Sequence, residues 1–384
     1  LVEKVGGFRL GYEGSQDYDL ALRIIEQTEP ENIRHIPHVL YHWRAVEGST
    51  ALAEDEKTYT GDAALRAIQD HLDRCDIKGK VVQGRDVYSQ RVIYDLPEKL
   101  PKVSLIIPTR NRVELLRDAV EGIRSKNDYP NWEIIVVDNG SDEEETLDYF
   151  REIEKDDRIR VHRDDGEFNY SRLNNDAARL ATGEIIGLVN NDIEPINEDW
   201  LSEMVRQVIQ PGVGAVGAKL YYDNDTLQHG GVIVGLGGVA GHFDKRLDRE
   251  SRGYFGRAML VQNFSAVTAA CLLVPRAVFE EVGGLDEQKL AVAFNDVDFC
   301  LKIRHAGHRI VWTPYAELYH YESVSRGDDE APEKKARFNR EAEVMRERWA
   351  TDCEHDPFYN PNLTLDFERP VLADPPRTTR PWNA

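Results

Sequence analysis

Val103-Ser104-Leu105-Ile106-Ile107-Pro108-Thr109-Arg110-Asn111-Arg112 passes from a short apolar run, through one proline, into a polar segment. Such a run with a breaker at its end predicts a buried strand over Val103–Ile107 that stops at Pro108. Downstream the period changes. Val113, Leu116, Val120 and Ile123 share one face of a helix over 113–124. A second strand follows over 133–137 and runs into Asp138-Asn139-Gly140-Ser141. A helix over 143–153, a short strand over 159–162, a helix over 173–181 and a strand over 184–189 complete the series, the last ending at Asn190-Asn191-Asp192. Alternating strands and helices make an α/β fold with a mostly parallel sheet covered on both faces. Ligands of such sheets sit outside the carboxyl ends of the strands. Thr109-Arg110-Asn111, Asp138-Asn139 and Asn191-Asp192 each follow a strand directly, so they are expected to line one crevice.

Upstream of Val103, residues 57–75 read as an amphipathic helix with Leu65, Ile68, Leu72 and Cys75 on one stripe, 81–94 as extended chain, and 96–101 as a linker. Downstream of the α/β series, residues 333–349 carry Phe338, Ala342, Met345 and Trp349 on one helical face. The proline-rich stretch after Pro357 reads as an extended arm on the surface.

One pattern occurs twice. Val5-Gly6-Gly7-Phe8, Gln16-Asp17-Tyr18-Asp19-Leu20-Ala21-Leu22-Arg23-Ile24 and Tyr41-His42-Trp43 return as Val282-Gly283-Gly284-Leu285, Asn295-Asp296-Val297-Asp298-Phe299-Cys300-Leu301-Lys302-Ile303 and Tyr319-His320-Tyr321. Order and spacing agree to within one or two residues, so Asp17 pairs with Asp296 and His42 with His320. The α/β series precedes only the second copy. The expected organisation is therefore a C-terminal remnant of a first domain at 1–56, a connecting helix and strand at 57–100, a complete domain at 101–330, and a helix with a proline-rich arm at 331–384. The chain opens at Leu1, which points to a piece of a longer protein.

Bulk composition narrows the class. With 384 residues, 41% of them hydrophobic, the chain can bury a sizeable core. A net charge of -21 argues against nucleic acid as a partner. Cys75, Cys271, Cys300 and Cys353 form no Cys-x-x-Cys pair and suggest reduced, largely buried thiols in the cytoplasm. No apolar run has the length of about 18 residues that a membrane span needs.

Taken together, the stretch from Val103, Val136-Val137-Asp138-Asn139-Gly140-Ser141, Leu188-Val189-Asn190-Asn191-Asp192-Ile193-Glu194 and Asn295-Asp296 resemble the family-two inverting glycosyltransferases of GT-A fold, which implies a Rossmann-like mixed sheet flanked by helices. The likeness is closest to the tandem-domain bacterial enzymes that build O-antigen and related surface polysaccharides. The resemblance implies a UDP- or dTDP-sugar donor, a hydroxyl of a growing or lipid-linked glycan as acceptor, a divalent cation (Mn²⁺ or Mg²⁺), and peripheral association with the inner membrane through the acceptor.

The same resemblance assigns residues. Pro108, Thr109 and Arg110 would flank the nucleotide, and Asp138 would accept the N3–H of a uracil or thymine, although an Asp in this turn also suits its own backbone. Asn190-Asn191-Asp192 stands where the family has its DXD motif: Asp192 would hold the metal, Asn191 would bond the ribose, and Glu194 or the diphosphate itself would compensate for the missing first acid. Asp296 would be the general base, with a helix N-cap as its bland alternative and Asp298 structural. His320 would complete the metal site, and Arg326 would clamp the diphosphate. Asn169, Arg172 and Asn175 would line the nucleotide pocket, with capping as the other explanation of Asn169. His229 and His242 would meet the acceptor. The departures at Asn190 and Asn295 keep a second class open: a catalytically degenerate module that binds or scaffolds glycans. Two decoys are set aside. The run from Val234 to Ala240 fits a dinucleotide fingerprint but has no helix after it, and His305-Ala306-Gly307-His308 reads as a helix end.

Overall fold

A computed structural model of the chain describes residues 1–42, 44, 59–86, 89–322 and 332–378. It divides into two units, one built from residues 1–95 together with the segment from Pro375, the other spanning Leu96–Asp374. In the first, α1 (Gln16–Ile25) packs on α2 (Tyr59–Arg74), followed by an antiparallel hairpin of β1 (Gly79–Gln83) and β2 (Gln90–Tyr94). The stripe on α2 is real at Ile68 and Leu72, which are buried, and fails at Cys75, which is exposed.

In the second unit the predicted alternation appears as β3 (Val103–Thr109), α3 (Val113–Ser125), β4 (Trp132–Asp138), α4 (Glu144–Ile153), β5 (Ile159–Arg163), α5 (Tyr170–Leu180) and β6 (Ile185–Val189). There follow β7 (Ile193–Pro195), α6 (Trp200–Val208), β8 (Val213–Tyr221), β9 (Leu227–His229), β10 (Val232–Val234), β11 (Ala240–His242) and β12 (Gln262–Phe264). Then come β13 (Cys271–Pro275), α7 (Arg276–Glu281), α8 (Asn295–His305), β14 (Arg309–His320), α9 (Pro332–Arg348) and α10 (Ala350–Glu354). The main sheet runs β12-β14-β8-β13-β6-β3-β4-β5, with β7 paired to β14 and β9 to β8. Its β6-β3-β4-β5 half is parallel, whereas β13 runs antiparallel to both β6 and β8. The sheet is thus mixed, as the GT-A resemblance implies, with the strand–helix alternation confined to its parallel half.

Pro108 does not stop the first strand. The pairing of β3 with β6 has ended by Ile106, while the pairing with β4 continues through Pro108 to Thr109, so the missing proline N–H interrupts no ladder on the β6 side. Side chains along these strands alternate between two cores. Ile106, Ile135, Ile186 and Leu188 join α5 and α8 on one face, and Leu105, Ile107, Ile134 and Val136 join α3, α4 and α6 on the other. With both faces covered, the strands are continuously apolar, and each fully buried aliphatic side chain contributes about 1.5–3 kcal/mol.

The segment after Pro357 is not a surface arm over its whole length. Tyr359 and Leu363 belong to the core beside α5 and α8, and Asp356 accepts bonds from the Val234 N–H and the Ser265 hydroxyl. Proline content describes backbone stiffness and is silent about burial. The dinucleotide-like run is a hairpin turn between β10 and β11. His305 ends α8 ahead of Gly307, at φ 93.

Candidate active site

The strand ends of β3, β4 and β6 are tied to one another by side chains of the loops that follow them. Asn191 Nδ2 donates to Thr109 Oγ1 at 3.0 Å. Beyond Thr109 the chain turns through two residues with positive φ, Asn111 and Arg112, before α3 starts. This turn brings the Asn111 N–H to Ser141 Oγ at 2.7 Å and its side-chain carbonyl to the Asp142 N–H at 3.0 Å. The Ser141 N–H in turn donates to Asp138 Oδ1 at 2.8 Å. Asp138 is buried, and its second oxygen accepts from Arg163 at 2.6 Å. These bonds bring Thr109, Asp138 and Asn191 together at the strand ends, with Asp192 next along the chain. Pro108 lies in the same buried strand end, while Arg110 projects into solvent.

Asp192 is buried at the start of the segment leading to β7, and β14 returns antiparallel to that strand with His320 opposite Ile193. This pairing brings His320 Nε2 to 3.2 Å from Asp192 Oδ1 and 3.1 Å from Asn190 Nδ2. The donor set, one carboxylate and one imidazole, suits a divalent ion such as Mn²⁺, with a ligand's own oxygens completing the shell. Glu194 is not available to it. Burial raises this carboxyl, but Lys126 at 2.9 Å and the Tyr321 hydroxyl at 2.8 Å outweigh burial and hold it below the usual range.

Asp296 lies in the first turn of α8, two residues after Phe294, which takes the N-cap position with φ 58. A bulky residue in the left-handed region stores strain, a common mark of functional backbone. The Asp296 carboxylate is half-buried and does not cap the helix: Oδ1 accepts from the Val297 N–H at 2.9 Å and Oδ2 from the Ala269 N–H at 3.1 Å. Ala269 also links this carboxylate to the DXD-like segment. Its carbonyl lies 3.2 Å from the Tyr170 hydroxyl, which is 3.3 Å from Asn190 Oδ1, and the Asn190 N–H donates to the next carbonyl, Ala270, at 3.0 Å. Asn295 donates to the Val292 carbonyl. Asp298 is fully buried and salt-bridged to Arg348, a structural role.

His229 and His242 meet each other, Nδ1 to Nδ1 at 2.8 Å with rings edge to face, and His229 Nε2 faces the Thr268 N–H at 3.4 Å. Burial, then the neighbouring imidazoles of His242 and His320, push the His229 pKa well below 6.5. A cavity of about 680 Å³ lies alongside, lined by Gly241, Phe294, Phe338, Phe367, Arg346 and Arg369 among others.

Three expected nucleotide residues have other work. Asn169 caps α5 by accepting from the Arg172 N–H at 2.9 Å, and its amide donates to the Glu287 carbonyl. Asn175 is buried and holds Leu285 through both its N–H and its carbonyl. Each polar atom that was to reach a nucleotide is committed to the chain instead. Arg172 grips Asp164, whose N–H donates to the Asp138 carbonyl, so it stands one residue behind the crevice. Arg326 falls outside the described residues, as does Trp43. Sequence reasoning missed Gln228 as a partner of His320, Tyr170, and the Thr268–Ala270 backbone. Of these, Gln228 stands next to His229 and Tyr170 between Asn169 and Arg172, within segments that had drawn notice, whereas the Thr268–Ala270 backbone had not.

Residues 104–283 match the family described as Glycosyl transferase family 2. The chain carries a glycosyl transferase family 2 domain. Over 377 residues it is 52% identical to the uncharacterized protein y4gI of Sinorhizobium fredii, an alignment covering 98% of this chain and 41% of that protein. It is 39% identical over 370 residues to the O-antigen biosynthesis protein RfbC of Myxococcus xanthus, covering 94% of this chain and 28% of RfbC. The chain thus spans less than half the length of either relative. Its fold is GT-A: the crystal structure of GalNAc-T7 with UDP, GalNAc and Mn²⁺ superposes with a TM-score of 0.51 at 15% identity, over 68% of this chain and 50% of that one. Among the described residues no helix is long and apolar enough to cross a membrane.

Proposed function

We propose that the family 2 domain transfers a sugar, with inversion, from a UDP- or dTDP-sugar to a hydroxyl of a growing surface glycan. One observation carries this reading: the Ala269 loop joins the half-buried Asp296 carboxylate to the segment that bears Asp192, which itself faces His320. A candidate base and a candidate cation site thus share one short support. Asp296 accepts the proton of the acceptor hydroxyl as it attacks the anomeric carbon, and its two backbone bonds fix the carboxylate for that role. Asp192 and His320 hold a divalent cation, Mn²⁺ or Mg²⁺, which when bound supplies positive charge for the departing diphosphate. Thr109, Asn191 and Asp138 position the nucleoside, with Arg163 orienting Asp138. The acceptor enters past His242 into the aromatic cavity at Phe294 and Phe338, whose rings can stack on sugar faces. The relative named for O-antigen biosynthesis supports a surface polysaccharide as product, and the free cysteines support a cytoplasmic setting, with the membrane approached only through a lipid-linked acceptor.

Release of UDP or dTDP from a panel of nucleotide sugars, with and without Mn²⁺, tests the reading. Metal-dependent release that Asp192→Ala abolishes is expected. Absence of release from every donor would favour the degenerate scaffold suggested by Asn190 and Asn295.

A further inference from the structure

The His320 imidazole has a partner on each nitrogen, and the partner on the side away from Asp192 decides what the other side can do. Nδ1 lies 2.6 Å from the Gln228 side-chain oxygen. An amide can be turned either way round, so its orientation has to come from its other end. There the Gln228 nitrogen lies 3.1 Å from the His320 backbone carbonyl and 3.3 Å from the Glu322 carboxylate. A carbonyl and an ionised carboxylate only accept, so the group facing them must be the NH₂. The side-chain oxygen of Gln228 therefore faces Nδ1, and since that oxygen cannot donate, Nδ1 carries the hydrogen. A neutral imidazole has only one N–H, which leaves the lone pair on Nε2. That lone pair points at Asp192 Oδ1 and the Asn190 amide, and the Asn190 N–H can donate to it. Gln228 and His320 are 3% and 7% exposed, so water cannot readily replace the amide if it is removed.

We propose that Gln228 is a positioning residue that locks His320 as the Nδ1–H tautomer, so that Nε2 and Asp192 present two lone pairs to one divalent cation. The inference rests on the cation reading of Asp192 and His320 given above. It explains why a neutral amide is useful at this position. The amide fixes the tautomer without adding a charge, whereas a side chain unable to accept leaves the two tautomers free to exchange. Outer partners of metal-binding histidines typically change metal affinity about 10–100-fold.

The wild-type chain tests the first half without any substitution. In its ¹⁵N spectrum without metal, recorded at alkaline pH so that the ring is neutral and assigned by difference against His320→Asn, His320 should show a pyrrole-type Nδ1 and a pyridine-type Nε2. A proton on Nε2 overturns the proposal. Gln228→Leu should mix the two tautomers and weaken Mn²⁺ binding, followed by electron paramagnetic resonance with UDP present, by about 10–100-fold. Gln228→Glu combined with Glu322→Gln keeps an acceptor at Nδ1 and turns the facing carboxylate into an amide donor, so the pair should restore the tautomer and part of the affinity. Mixed tautomers with unchanged Mn²⁺ affinity would overturn the cation reading of the pair. An unmixed tautomer in Gln228→Leu would overturn the role of Gln228 and leave the cation reading standing.

Discussion

Residues 1–25 and 278–303 fold the same turn and differ in what surrounds it. In the first copy the N–H groups of Val5, Gly6 and Gly7 donate to Leu1, Glu3 and Val2; in the second, those of Val282, Gly283 and Gly284 donate to Val278, Glu280 and Phe279. The glycine pairs have φ of 80 and 68 in one copy and 75 and 66 in the other. Each helix that follows buries one acid, Asp19 or Asp298, bridged to a base four residues on, Arg23 or Lys302, which also donates to the second glycine's carbonyl. Even the candidate base repeats: Asp17 accepts from the Tyr18 N–H and Asp296 from the Val297 N–H, both at 2.9 Å. Around them the likeness ends. Phe8 is 66% exposed where its counterpart Leu285 is 2%, and Asp17 lies in solvent while Asp296 is held by Ala269. The local signature is a folding motif in both copies, and only the second is joined to a β-sheet within its own unit through Ala269.

The widest gap between the copies should be catalytic. Asp296→Asn should lower transfer by on the order of 10²–10⁴-fold with donor affinity kept, while Asp17→Asn leaves transfer unchanged. Equal losses would mean that the first copy completes the site. The buried acids should behave alike. Asp298→Ala takes the buried carboxylate from Lys302 and leaves Arg348 only Asp286, and Asp19→Ala takes it from Arg23 and leaves Arg9 only Asp70. Each should cost about 3–5 kcal/mol of its own unit's stability, resolved by hydrogen exchange; a marginal loss at either would end the structural parallel.

The glycines separate the copies again, by less. Gly7→Ala meets nothing within 4 Å and should cost only the left-handed strain, about 1–2 kcal/mol. A Cβ on Gly284 would lie 2.5 Å from Asn175 Oδ1, so Gly284→Ala should cost more in the same thermal denaturation series. The smallest effect is in pH. Burial holds His229 neutral, with a pKa below its unfolded value near 6.5, so the unfolded chain takes up the proton first. Stability should be full above about pH 6.5 and decline as pH falls through that value. His229→Gln should flatten this decline, and an unchanged slope would show that another group causes it.

The β3–β6 half of the fold was legible because fully buried parallel strands write themselves as unbroken apolar runs. β13 was not read, since it follows a long irregular segment and joins the sheet antiparallel, and neither was β14, which follows α8 closely but pairs with the distant β8. At the site, carboxylates at strand ends announce themselves through residue type. Asn169 and Asn175 misled because an amide that anchors a loop has the same letter as one that binds a nucleotide. Tyr170 and Gln228 were hidden because their roles depend on pairing across about 20 and 92 positions of sequence.

Ala269 joins the candidate base to the DXD-like segment through its peptide N–H and C=O alone. Almost any amino acid can offer those two groups, and proline is the exception. An alanine scan therefore steps over this position, and because Ala269 is buried in the core, larger side chains would fail there for their bulk and leave the link untested. What the loop cannot accept is a change of length, because one inserted residue would hand Asp296 and Tyr170 to different peptides. Backbone ester replacement of the N–H is the perturbation that would expose the link.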